Sequence, residues 1–126
     1  MTGQQKRGFI FLGLYALIVL FLSVMPTDFA EDKKIFLFHG FDKLVHVGMY
    51  GLFSFLVINQ YLVYRKIKWG AVALWMLAVL GYSLLMELIQ LLFTDYRSGE
   101  LLDVLANISG IIAGGVFRIY LKKIKS

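Results

Sequence analysis

Residues 69–93 read WGAVALWMLAVLGYSLLMELIQLLF, and Glu87 is the only charged residue in the run. A stretch of this length exceeds the roughly 20 residues needed to cross a hydrocarbon core of about 30 Å, and it is far too long for a buried strand. Inside lipid the backbone must satisfy its own hydrogen bonds, which for a single crossing segment requires a helix. Using the charges as punctuation reveals three more such runs: about Phe9 to Met25, ending at Pro26; Leu44 to Tyr64; and Leu101 to Tyr120. The first is slightly short, but flanking side chains can snorkel to the interface. Lys6 and Arg7 ahead of it imitate the start of a secretion signal. No small-x-small cleavage site follows Leu22, so the segment is expected to remain as an anchor.

Composition agrees. With 60% apolar and 17% charged residues in a chain of 126, too few polar side chains are present to cover a soluble domain of this size. No linker divides the chain, so residues 1–126 are expected to form a single transmembrane domain. The absence of cysteine excludes disulfides and thiolate metal sites. A net charge of +5 would suggest nucleic acid in a soluble protein, but the placement of the charges gives a different account. Lys6, Arg7, Arg65, Lys66, Lys68, Arg118, Lys122, Lys123 and Lys125 fall on one side of the four segments, against only Lys33, Lys34, Lys43 and Arg97 on the other. This asymmetry predicts cytoplasmic N- and C-termini and a cytoplasmic second connection. The basic rim would meet anionic lipid there, so membrane lipid is an expected partner and nucleic acid is not. The fold class expected is all-α: a polytopic membrane protein of four helices with both ends inside.

The polar residues within the apolar runs carry the functional information. In the second helix Asp42, His46 and Tyr50 recur every four residues and share one face, with Lys43 beside them. The third helix carries Glu87 and Gln90 near its outer end, followed by Asp95, Arg97 and Ser98. The fourth carries Asp103 and Asn107, again four apart. At a rise of about 1.5 Å per residue, all of these lie within about 10 Å of the outer helix ends. Since ionised groups are costly within a bilayer, their common level predicts a shared polar cleft opening outward.

Each residue also has a plainer use. Asp42 can cap its helix, and Asp103 can complement the helix dipole. Lys43 can snorkel to headgroups, and Tyr50 can bond to a neighbouring helix. Gln90 and Asn107 can pair helices, and His46 can be a satisfied core histidine. Glu87 is harder to place, with Arg97 as its expected partner. Ala106, Gly110, Gly114 and Gly115 form a small-residue ridge suited to close helix packing, and Gly48 and Gly51 are expected to serve the second helix likewise. The echo between Asp42-x-x-x-His46 and Asp103-x-x-x-Asn107 hints at two helical hairpins of like orientation, an arrangement that places sites at the repeat interface in transport folds.

Taken together, Asp42-Lys43-Leu44-Val45-His46 with Tyr50, then Glu87-x-x-Gln90, Arg97, Asp103, Asn107, Gly110 and Gly114, resemble the two signatures of the VanZ-like family. Ser23 and Pro26 at the end of the first helix also fit, so the resemblance covers nearly the whole chain. Where the family often has a proline shortly before the arginine, this chain has Thr94-Asp95-Tyr96. The resemblance implies a multi-pass protein of the bacterial plasma membrane. It also implies a cell-envelope role linked to low-level resistance to teicoplanin, a glycopeptide antibiotic.

Three functions fit these residues. In the first, Asp42, Lys43, His46, Tyr50, Glu87, Gln90, Arg97, Asp103 and Asn107 bind an anionic envelope component, such as a lipid headgroup or cell-wall precursor. Arg97 would offer its forked donors and Lys43 a second positive charge. In the second, His46 and Glu87 act as an acid–base pair, Asp103 orients the histidine and Arg97 stabilises negative charge. A variant of this has His46, Glu87 and Asp103 hold a hard divalent cation. No H-E-x-x-H, G-x-S-x-G or Walker signature accompanies them, so enzyme action stays open, with His46, Glu87 and Asp103 as the candidate catalytic residues. In the third, the chain is a scaffold or accessory subunit. The expectation adopted is the first, with no cofactor or resident metal and with room for a homo-oligomer.

Overall fold

The computed structural model describes residues 1–24, 41–93 and 101–126, which form four helices and no strand. These are α1 (Gly3–Val24), α2 (Phe41–Tyr64), α3 (Trp69–Phe93) and α4 (Leu101–Lys125). All four are long and apolar enough to cross a membrane. At about 1.5 Å per residue each is longer than a hydrocarbon core of about 30 Å is thick. Phe21, Leu74, Leu77, Leu91, Ile112 and Phe117 project outward from the bundle, as lipid-facing side chains do.

The helices begin and end where their flanking chemistry allows. α1 starts six residues before the apolar run because Thr2 and Gln5 cap it reciprocally. Gln5 N–H donates to Thr2 Oγ1 at 3.2 Å, and Thr2 N–H donates to Gln5 Oε1 at 2.8 Å. α4 runs past Tyr120 because Lys122, Lys123 and Lys125 in its last turn complement the negative end of the helix dipole. Lys122 Nζ also donates to the Leu62 carbonyl at the end of α2, at 3.0 Å.

The contacting pairs fix the directions. Lys43 meets Asp103, His46 meets Asn107, Ser54 Oγ donates to Ile111 O, and Arg118 Nε donates to Asn59 Oδ1. α2 and α4 therefore run parallel. Tyr82 donates to Ala16 O and Gln90 to Ser23 O, so α1 and α3 are parallel too. This is the arrangement of two like-oriented hairpins. α2 and α4 make the most extensive contact, while α1 touches α2 and α3 but not α4. The bundle is a rhombus with α1 and α4 at its far corners.

Glycine sets the α2–α4 distance. A Cβ on Gly110 would collide with Val47 O, one on Gly114 with Gly51 O, and one on Gly51 would lie 3.2 Å from Gly110 O. Backbone here rests on backbone, as small-residue ridges permit. Gly48 departs from expectation, because a Cβ there meets nothing within 4 Å. It faces out of the interface that Gly51, one turn-step further round the helix, packs into. Below this level Tyr50, Phe53 and Val57 of α2 join Val19, Val79, Met86 and Ile111 in the core.

Candidate functional site

The polar cluster is built at the end of the bundle where α2 and α4 begin and α3 finishes. Lys43 and His46 come from the first two turns of α2, Glu87 from the last two of α3, and Asp103 and Asn107 from the first two of α4. The glycine contacts hold the α2 and α4 members at fixed separation. The antiparallel course of α3 brings Glu87 up to meet them.

Asn107 is the centre of the arrangement and is fully buried. Its Nδ2 donates to Glu87 Oε1 at 3.4 Å, and its Oδ1 lies 2.9 Å from His46 Nδ1. With the amide nitrogen committed to the carboxylate, the oxygen facing the ring is an acceptor, so Nδ1 of His46 carries a proton and donates. In the neutral imidazole the lone pair is then on Nε2, which lies 4.0 Å from Asp103 Oδ1. His46 Nδ1 is also 4.0 Å from Glu87 Oε1. Lys43 Nζ donates to Asp103 Oδ1 at 2.5 Å. The side chain of Lys43 is 26% exposed and those of His46, Glu87 and Asp103 are 10–14% exposed, so the lysine is the outermost member.

Several expectations are refined by this geometry. Lys43 pairs with Asp103 and so does more than snorkel. Asp103, expected to orient the histidine, lies 4.0 Å from His46 Nε2, while the hydrogen bond to the ring is made by Asn107 at Nδ1. Tyr50 is buried within the apolar core one turn deeper than His46. Gln90 Nε2 donates to Ser23 O at 3.1 Å and thereby ties α3 to α1. Asp42 lies in the first turn of α2, with its side chain outside the described residues. Arg97, and with it the expected Glu87–Arg97 pair, also lies outside the described residues.

Ser83 was not anticipated. It is fully buried with its Oγ unpartnered among the described residues, and it sits one helical turn before Glu87 on the same face. The signal was its spacing of four from Glu87, which a serine in an apolar run does little to advertise. Glu87 shares the property: its Oε2 is buried and has no hydrogen-bond partner among the described residues. The donor atoms of His46, Glu87 and Asp103 all lie within 4.8 Å of one another. Acid, base and ammonium thus meet in one partly sheltered space, where electrostatic effects are stronger than in water.

Fold and cluster together define a class: a small multi-pass helical membrane protein with a buried polar cluster at one end of its bundle. Within that class, the chain belongs to the VanZ/LLP1 family, whose profile matches residues 4–122. No curated protein and no solved structure gives a significant match.

Proposed function

We propose that this protein serves the bacterial cell envelope from the plasma membrane, with both termini cytoplasmic. In this reading its polar cluster faces outward and binds the phosphate or carboxylate of an anionic envelope component, a lipid headgroup or a cell-wall precursor. The observation that carries the reading is the position of Lys43. As the outermost member of the cluster, it presents an ammonium to an incoming anion before the anion meets the more buried carboxylates. Arg97, in the connection between α3 and α4, adds a guanidinium suited to forked recognition of such groups. His46 and Asn107 supply polar contacts beneath. The basic residues gathered at the other end of the bundle support the orientation. A link to teicoplanin resistance accords with a protein that meets wall precursors at the outer face.

The test is lipid co-purification. Wild type, Lys43→Ala and Arg97→Ala are extracted from the same membranes, and the anionic lipid carried per chain is measured. Both variants should carry several-fold less; an unchanged complement in both removes the reading. A second reading, acid–base catalysis, is favoured by the fixed histidine tautomer. Asn107 holds His46 so that Nε2 is left as the basic atom, a requirement for a general base.

A further inference from the structure

Among the described residues the cluster sets two carboxyl groups, Glu87 and Asp103, against one ammonium, that of Lys43. Glu87 and Asp103 are both carboxylic acids, both buried, and only Asp103 is bonded to the ammonium at 2.5 Å. Glu87 is 8% exposed, and one of its oxygens is buried without a hydrogen-bond partner among the described residues. A buried carboxylate in that condition calls for a counter-charge. The other Glu87 oxygen accepts from Asn107 Nδ2 at 3.4 Å and lies 4.0 Å from His46 Nδ1, and one ligand atom from each of His46, Glu87 and Asp103 falls within 4.8 Å of the others.

We infer that His46, Glu87 and Asp103 bind one divalent transition-metal cation of the zinc or manganese kind. The histidine is already set for it. Asn107 accepts from Nδ1 and so fixes the ring, with Nε2 4.0 Å from Asp103 Oδ1 and Glu87 Oε1 4.0 Å from Nδ1, so Glu87 has to swing toward Nε2 to complete the set. Metal-ligating histidines are held in this way by a partner on their other nitrogen. One nitrogen and two carboxylate oxygens make a three-ligand set with an open coordination position. The imidazole disfavours magnesium and calcium, which prefer oxygen alone. Metal–ligand bonds of about 2.0–2.2 Å place donors roughly 3.4 Å apart in a tetrahedral set. The ligand atoms, now up to 4.8 Å apart, would have to close by up to about 1.4 Å through side-chain movement to reach that spacing. Lys43 competes for Asp103, so it opposes the cation. This site deepens the anionic-ligand reading and rests on the same cluster: a bound cation makes the mouth electropositive, and its open position accepts an oxygen of the ligand.

The test uses chelator-treated, detergent-purified full-length chain, titrated separately with Zn2+, Mn2+, Mg2+ and Ca2+ by calorimetry. Wild type should take up one Zn2+ or Mn2+ per chain, at least ten-fold more tightly than Mg2+ or Ca2+. Glu87→Gln and Asp103→Asn, near in shape to the originals, should each weaken uptake at least ten-fold, and Lys43→Ala should strengthen it. Nitrogen modulation in the spin-echo signal of bound Mn2+ should disappear in His46→Gln. The inference is overturned if wild type shows no one-to-one site, a result independent of whether any variant folds. It is overturned equally if Glu87→Gln binds like wild type. Lipid co-purification on the same samples with chelator present separates the two ideas. Anionic lipid held by a wild type that takes up no metal sinks the cation site alone. Metal uptake with no anionic lipid sinks the anionic-ligand reading and leaves the cation site standing.

Discussion

Asn107 contributes two hydrogen bonds from one side chain, and both partners are sheltered from water. Replacing it with leucine strands His46 Nδ1 and Glu87 Oε1 together. An unsatisfied buried polar group costs about 1–3 kcal/mol, so Asn107→Leu should lower the unfolding free energy in detergent by about that much. Adding Glu87→Leu removes one of the stranded groups, and the double variant should be less destabilised than the two single changes summed. Strict additivity in this cycle would show that the two side chains do not interact. Lys43→Ala takes the ammonium from Asp103, whose side chain is only 12% exposed, so it should lower stability by more than the roughly 1 kcal/mol of a fully exposed pair. Asp103→Asn in the same background should restore much of that loss, and an unrestored loss would show that the pair is not what holds Lys43 there.

Among the elements, α2 and α4 form the rigid pair and α1 is the loosest. Gly114 lies where any Cβ would strike Gly51 O, so Gly114→Ala must separate the two helices. Overpacking of this kind costs about 1–3 kcal/mol, and thermal melting should register it. Gly48→Ala, on the same α2 but with open space around it, should leave the melting temperature unchanged or slightly raised. Equal effects at the two positions would contradict the packing described. α1 has only Val19 and Ser23 fully buried. It is held largely by Tyr15 donating to Met49 O at 2.6 Å, by Tyr82 donating to Ala16 O, and by Gln60 and Gln90 donating to Gln5 O and Ser23 O. Hydrogen bonds between membrane helices average about 0.6 kcal/mol each. Tyr15→Phe with Tyr82→Phe should therefore speed hydrogen exchange within α1 and leave α2 and α4 protected. An even loss of protection across all four helices would show that α1 is not a separate unit of stability.

At the scale of the whole molecule the open prediction is direction in the membrane. The chain has no cysteine, so single cysteines can be introduced without background. Ser98→Cys, between α3 and α4, should react with a membrane-impermeant maleimide in intact cells, whereas Ser126→Cys should react only after lysis. The reverse pattern would place the polar cluster on the cytoplasmic side and end the envelope-ligand reading. The rhombic layout gives this measurement its value, because every member of the cluster lies at one end of the bundle. A single topology result therefore assigns the whole site.

The two levels of structure divided the work along a physical line. Helix existence, number and approximate length were legible in the sequence because transfer into lipid depends on summed hydrophobicity, a property of each segment by itself. The small-residue ridge on α4 was legible for a similar reason, since it lies along one helix. The resemblance to the VanZ-like family was also legible, because it rests on residue types in a fixed order. The partners were not. That Asn107 rather than Asp103 holds His46, that Lys43 takes Asp103, and that Gly51 packs while Gly48 does not are all matters of how one helix is rotated against another. Rotation is settled by the backbone contact between α2 and α4, where residues about sixty positions apart compete for the same few ångströms. Spacing along a single chain contains no term for that competition, and only the packed bundle decides it.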